Sequence, residues 1–338
     1  MKITYTPKKF GPASIAVIRQ AEAICREYRA AGYDLTLRQL YYQFVARGLI
    51  PNDQKQYKRL GDIINDARLA GWLDWDYLVD RTRNTVQRPH WNHPRDIIQA
   101  SAKQFHTDWW ETQPLHVEVW VEKEALAGIV EQVTSQYDVT SLACRGYLSQ
   151  SEAWSAAQRF LEHVQSGRNV VIIHLGDHDP SGVDMSRDNE DRIRHFLHGD
   201  LLRNAEISGA YDAYDDAPWD WFDTDQWAQG EYDIVDTVFE LRRIALNRDQ
   251  ITRYQPPPNP AKITDSRATD YIRKHGTQSW ELDALPPDVI SALIRDEIEE
   301  LMDPEAFLKA RQRETAYRER IAALLDQHGD VLDVGGDL

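Results

Sequence analysis

Asp177 and Asp179 flank His178 in the stretch His174-Leu175-Gly176-Asp177-His178-Asp179-Pro180-Ser181-Gly182. The stretch directly follows an apolar run, Val170-Val171-Ile172-Ile173, that reads as a buried strand. Two carboxylates leaving the end of one strand can converge on a single divalent ion, and hard oxygen ligands suit Mg²⁺, with Mn²⁺ able to substitute. Glu122 closes a second strand-like run, Val117-Glu118-Val119-Trp120-Val121-Glu122. An acid at the end of each of two strands puts both at the carboxyl edge of a sheet, where they can share one divalent ion. Glu118 falls in mid-strand and is the weaker candidate. Asp184 could add a further acid, although a solvated residue at a helix start is the commoner case. His178 could shuttle protons or simply serve the turn.

A second candidate is the run Arg38-Gln39-Leu40-Tyr41-Tyr42. At ~100° per residue, Leu37, Leu40, Tyr41, Phe44 and Val45 share one helix face. Tyr41 therefore reads as packing, and Tyr42 as a flank residue. Arg38 lies one turn before Tyr42, so the two are neighbours. A guanidinium there favours phenolate and can grip a phosphate. Tyr42 is thus a candidate nucleophile, beside the plainer reading of an amphipathic structural tyrosine. Lys55, Lys58, Arg59 and Arg68 follow in the next helical stretch and are candidate DNA-phosphate contacts. An ordinary solvated basic face explains them too. The same choice applies to Lys123 and Lys262.

The elements that must hold these residues are legible in outline. Apolar spacing predicts helices over about 12–31, 37–47 and 54–70, with Asp34 or Thr36 capping the second and Gly48 and Gly71 ending the second and third. Residues 72–79 suit a short strand. Three helices and a strand make a winged-helix domain whose third helix would read the DNA groove. From about 114 to 200, strands near 115–122, 138–143 and 169–175 alternate with helices near 123–135, 150–166 and 186–198. That rhythm predicts a parallel sheet with crossover helices, and sites in such sheets lie at the carboxyl ends of strands. Residues 208–234, rich in Trp and Asp, read as an insertion. A strand near 238–246, a proline-rich connector at 256–260 and helices near 286–301 and 303–325 follow, then a flexible tail from 328. The expected fold class is α/β, with a helical domain over 1–108 and a metal-binding α/β domain over 112–327.

The charge is unevenly spread. Net charge is −16, yet residues 1–100 carry 16 Lys and Arg against 10 Asp and Glu, and the remainder 23 against 45. The basic third can hold phosphates even though the whole chain is acidic. No apolar run approaches the ~20 residues of a membrane-spanning helix. The cysteines, Cys25 and Cys144, form neither a disulfide framework nor a zinc site. A cytoplasmic protein is the expectation, nucleoid-associated if the source is bacterial or archaeal.

An Arg-x-x-x-Tyr helix followed by Val121-Glu122-Lys123-Glu124-Ala125, Arg145-Gly146-Tyr147, Asp177-His178-Asp179-Pro180-Ser181-Gly182 and Glu281-Leu282-Asp283-Ala284-Leu285 resembles the topoisomerase VI A-subunit and meiotic double-strand-break transesterase family. The match touches points from about 36 to 285, and His178 stands where the family usually has glycine. The resemblance implies a winged helix followed by a Toprim domain. It implies Tyr42 as nucleophile, Arg38 beside the phosphate, and Glu122, Asp177 and Asp179 as Mg²⁺ ligands, with Glu122 also catalytic. The implied partner is double-stranded DNA. One tyrosine cuts one strand, so a double-strand break implies a homodimer, with the tyrosine of one protomer meeting the acids of the other. No Gly-x-x-x-x-Gly-Lys-[Ser/Thr] loop is present, so any ATPase would be a separate subunit. Two other readings remain: a Toprim-type nuclease that uses water, with Tyr42 structural, and a non-catalytic DNA-binding protein.

Overall fold

The computed structural model describes residues 2–79, 88–207 and 233–328. The tail from Gly329 and nearly all of the 208–234 segment lie outside them. The chain starts with three helices: α1 (Pro12–Ala30), α2 (Leu37–Ala46) and α3 (Gln54–Leu69). Their apolar stripes meet in one core. Ile18, Ala21 and Ile24 come from α1, Leu40, Tyr41, Tyr42 and Phe44 from α2, and Leu60, Ile64 and Ala67 from α3. Thr36 caps α2 through a reciprocal pair of bonds with Gln39, which satisfies two backbone N–H groups that the helix start leaves unpaired.

Residues 72–79 do not form the expected strand. Trp75–Tyr77 make a 3-10 turn, opened by Asp74, whose carboxylate accepts from the Asp76 N–H at 3.0 Å. Leu78 meets Leu35 in a single parallel bridge. Among its described residues the N-terminal third has helices and two isolated bridges, Thr4 to Ala70 and Leu35 to Leu78. The next helix, α4 (Pro94–Gln104), was not apparent in the sequence. It packs on the last helix of the chain, and Phe105 meets Tyr317 edge to face just beyond it. The 94–105 stretch thus packs with the C-terminal helix.

The α/β part follows the predicted rhythm: β1 (Leu115–Val121), α5 (Ala127–Tyr137), β2 (Thr140–Ala143), α6 (Gln150–Gln165), β3 (Asn169–Leu175), α7 (Pro180–Ile207), α8 (Asp233–Asp236) and β4 (Phe239–Ala245). The four strands are parallel in the order β2-β1-β3-β4. Both central strands are buried on both faces, which is why they read as near-continuous apolar runs. Val117, Val119, Val121, Ile173 and Leu175 face α5 and the later α11 (Pro287–Leu301). Trp120, Val170 and Ile172 face α6 and α7. α7 begins at Pro180, earlier than expected, because proline is suited to a first helical position and Asp179 caps it. Beyond β4 come α9 (Arg248–Tyr254), the two-stranded pair β5 (Asn259–Pro260) and β6 (Gln278–Ser279) around α10 (Ala268–His275), then α11 and α12 (Pro304–His328). No helix among the described residues is long and apolar enough to cross a membrane.

Glu118 sits on the α6 side of β1 with no exposed surface. It accepts from Arg159 Nε at 2.8 Å and Nη2 at 3.0 Å, and from Trp120 Nε1 at 2.9 Å. Burial alone would push its carboxyl up. The bonds from His116, Arg159 and Trp120 and the Arg159 charge overcome this and bring it down to about 2. Glu118 is therefore a structural anion. Its folded-state value lies below the unfolded one, so its stabilisation is present above pH 4.5 and drains away as pH falls through about 2. At neutral pH it amounts to about 3 kcal/mol. Urea denaturation should show Glu118→Gln well below wild type at pH 5, with roughly half of that gap gone by pH 3.

Candidate functional site

The sheet register sets the first part of the site. Val121 and Leu175 are paired across the two central strands, so Glu122 and Asp177 emerge together at their carboxyl ends. The Asp177 N–H donates to Glu122 Oε2 at 2.8 Å. The turn into α7 is tight. A side chain at Gly182 would start 2.4 Å from the Asp177 carbonyl oxygen, so only glycine fits there. Asp179 Oδ1 accepts from the Gly182 N–H at 2.7 Å and from Ser181 Oγ at 3.1 Å.

Arg243 braces the turn from β4. Its Nη2 donates to the carbonyls of Gly176 at 3.1 Å and Asp177 at 2.6 Å. Its Nη1 donates to the Gly182 carbonyl at 3.1 Å and to Ser186 Oγ. The sequence showed 238–246 only as a strand. Nothing in it singled out this arginine, because the acceptors it serves, three carbonyls and the Ser186 hydroxyl, lie past the end of a different strand.

A second brace comes from the segment after β6. His178 and Trp280 exchange backbone bonds of 2.8 and 2.9 Å. The His178 ring bonds to the Tyr271 hydroxyl at 2.8 Å and lies against Trp280 and His275. Burial, then His275 and Arg243, pull the imidazole down to about 4, so it is neutral at physiological pH. His178 thus docks the segment onto the acid turn. The docking places the Leu282 N–H 2.8 Å from Asp177 Oδ1. It also turns Glu281 and Asp283 toward the three-helix core, which takes in Ala284.

There the tyrosine helix joins the site. Arg38 pairs with Glu281 Oε2, and its Nε lies 3.0 Å from Asp283 Oδ2. Lys123 Nζ lies 3.0 Å from the same Glu281 oxygen, 2.9 Å from Asp283 Oδ1 and 2.8 Å from Asp177 Oδ2. Two cations and three carboxylates therefore link α2 to the ends of β1 and β3. Lys123, one of the lysines open to a solvated reading, sits at the centre of this network. Arg38 stands 5.9 Å from the centre of the Tyr42 ring.

Tyr42 is only 4% exposed, more deeply set than its flank position suggested. Its hydroxyl interacts with Arg38 and Glu281. Burial, with the charges of Asp283 and Glu281, pushes the phenol well above its ordinary range, and Arg38 only partly opposes this. Tyr41 is structural, its hydroxyl donating to Asn52 Oδ1 at 2.9 Å and to the Asp53 carbonyl at 3.1 Å.

The acids offer the hard oxygens that Mg²⁺ prefers. The bonds above engage Glu122 Oε2 and Asp179 Oδ1, leaving Glu122 Oε1 and Asp179 Oδ2 outside them. Asp177 is committed to Leu282 and Lys123. Accordingly, no group of three His, Cys, Asp or Glu side chains among the described residues is arranged to hold a metal ion. Glu122 and Asp179 thus each keep one oxygen outside these bonds, while Lys123 occupies Asp177 Oδ2. Burial pushes both Glu122 and Asp177 upward, and their mutual charge adds to the rise at Asp177, an arrangement that an added cation would relieve.

Of the basic residues on α3, Lys55, Lys58 and Arg59 are exposed. Arg68 is turned inward instead. It stacks 4.5 Å from the Trp75 ring and donates to the Trp75 carbonyl at 3.0 Å, which takes it out of the outward basic row. Asp184 accepts from Tyr147 at 2.7 Å and pairs with Arg187 and Arg267, so it is not a free acid. Comparison with protein-family models, with curated proteins and with solved structures gave no match in any of the three.

Proposed function

We propose that the protein cleaves duplex DNA by transesterification, with Tyr42 as nucleophile. The observation that carries this reading is the ion-pair chain Arg38–Glu281–Lys123–Asp177, which brings the tyrosine helix and the acid-bearing strand ends into one site. The resemblance of the same segments to the topoisomerase VI A-subunit family points the same way. In the reaction, the Tyr42 oxygen bonds to phosphorus, and the bond from phosphorus to the deoxyribose 3′ oxygen breaks. The phenol proton departs to solvent and the 3′ oxygen is protonated in turn. The protein is left joined to the 5′ phosphate, and reversal needs no ATP because the bond energy is retained. Arg38 holds the phosphate, and Lys55, Lys58 and Arg59 on α3 contact the flanking backbone. Glu122 and Asp179, joined by Asp177, would hold Mg²⁺ or Mn²⁺. The ion supplies charge stabilisation at the phosphate. Two copies would cut the two strands, each with Tyr42 beside the acids of its own chain rather than those of a partner as the resemblance implies, and a separate ATPase subunit would be needed for ATP-driven strand passage.

One observation favours a second reading. The Tyr42 hydroxyl is buried among carboxylates, as a structural tyrosine would be, and the acids could then direct water at the phosphate instead. Denaturing gels of duplex labelled at the 3′ ends, so that the label stays on the fragment carrying the cut 5′ phosphate, incubated with the protein and Mg²⁺ or Mn²⁺, separate the two. A label that migrates with protein until protease treatment supports transesterification. Free labelled ends without protein would establish hydrolysis, and bound duplex with no cut in either metal would leave a non-catalytic DNA-binding protein.

A further inference from the structure

Arg38 and Lys123 come from different parts of the chain, yet both are aimed at one oxygen, Glu281 Oε2. Asp283 bridges the same two cations from the other side, with Oδ1 on Lys123 at 2.9 Å and Oδ2 near Arg38 Nε at 3.0 Å. Two cations converging on a single anionic oxygen is the arrangement that recognises a phosphate. The two carboxylates differ in their surroundings. The Asp283 side chain is sealed, with 0% exposure, whereas Glu281 keeps 24% of its side-chain surface in solvent. Glu281 can therefore swing out, and Asp283 is the fixed wall.

We propose that Glu281 is a built-in stand-in for a phosphodiester: in the free protein it fills the phosphate position between Arg38 and Lys123, and a backbone phosphate of duplex DNA displaces it. The exchange conserves charge, since one carboxylate with a single negative charge leaves and one phosphodiester with a single negative charge arrives. Lys123 thereby becomes a phosphate-binding residue beside Arg38. Tyr42 lies against the same position, so the group that covers its hydroxyl in the free protein is the group that DNA removes. The site opens only when a phosphate is present to be attacked. This inference rests on the reading that the chain acts on DNA.

The test is fluorescence anisotropy of labelled duplex across a salt series, with the full-length chain carrying Tyr42→Phe so that no covalent product forms. Adding Glu281→Gln keeps the size of the side chain and removes its hold on the cations. The free protein no longer spends most of its time closed, so affinity should rise about tenfold. In the parent chain the phosphate replaces an internal carboxylate. In the Gln variant it replaces a solution anion, so the slope of log affinity against log salt should steepen by about 1. Glu305→Gln removes an exposed carboxylate on α12 and controls for net charge, with an expected change of less than about twofold. Glu281→Asp keeps the charge but shortens the reach, and should give an intermediate gain. It serves as the second reading should the Gln variant fold poorly by circular dichroism.

Unchanged or weaker binding by both Glu281 variants, with the parent still binding, overturns the stand-in and leaves the transesterase reading intact. An equal gain from Glu305→Gln overturns it as well. Absence of duplex binding by every chain removes the DNA reading, and the stand-in with it.

Discussion

A Tyr42→Phe chain is expected to give no DNA-linked protein above background, a loss of roughly 10³-fold or more, while remaining folded. The size follows from the role: removing a nucleophile leaves only what binding and electrostatics contribute. The retention of fold follows from the packing. The Tyr42 ring belongs to the three-helix core and meets Tyr41 at 5.4 Å, and phenylalanine keeps both contacts. The lost hydroxyl gives up one hydrogen-bonding group, a cost of about 1 kcal/mol. Denaturing gels with protease controls measure the first effect and thermal melts the second. If Tyr42→Phe still became linked to DNA, a different residue would be the nucleophile. If wild type and variant both released free ends at equal rates, water would be the attacking group and Tyr42 a core residue.

The second large effect lies far from the tyrosine in sequence. Arg243→Ala should destabilise the protein by about 3 kcal/mol in urea denaturation and abolish cleavage in the fraction that stays folded. Its guanidinium serves three carbonyls and one hydroxyl of the turn that carries Asp177 and Asp179. Truncation leaves partly buried acceptors without a donor; rehydration offsets most of the loss, so the expected cost corresponds to one or two hydrogen bonds to a charged group at about 1.5–3 kcal/mol each. It also removes the positive charge that partly offsets Glu122, Asp177 and Asp179. Arg243→Lys should recover part of the stability, because one ammonium supplies the charge but not the planar fork. A wild-type-like denaturation curve for Arg243→Ala would show that the turn holds itself through Gly182 and Asp179 alone.

Much of the architecture was legible because its signals are local. The largely apolar runs at 117–121 and 170–175 read as strands, and the helices between them pointed to a parallel sheet. The acids at 122, 177 and 179 therefore had to lie at the carboxyl ends, where the register places Glu122 beside Asp177. The failures are equally physical. Residues 72–79 carry strand-forming aromatics, but Asp74 and Asp76 favour a turn, and a single bridge from Leu78 to Leu35 is all the pairing that results. Tyr42 looked like a flank residue on an isolated helix. It is buried because the 281–285 segment covers that flank, and no property of 37–46 announces a segment more than two hundred residues away. Arg68 has the composition of a phosphate contact but lies over Trp75, a partner set by the turn that the strand reading missed.

The sequence by itself determined the parallel α/β order, the three-helix N-terminal core and the three acids at strand ends, since periodicity and strand-end placement follow from residue type alone. Tertiary structure alone decided that Lys123 and Arg38 share Glu281 and Asp283, that Arg243 braces the acid turn, and that Tyr42 is covered. Each of these joins residues from separate elements: the β3–β4 pairing brings Arg243 to the turn, and the docking of the His178–Trp280 bridge brings Glu281 and Asp283 to Arg38, Lys123 and Tyr42, neither of which local sequence encodes.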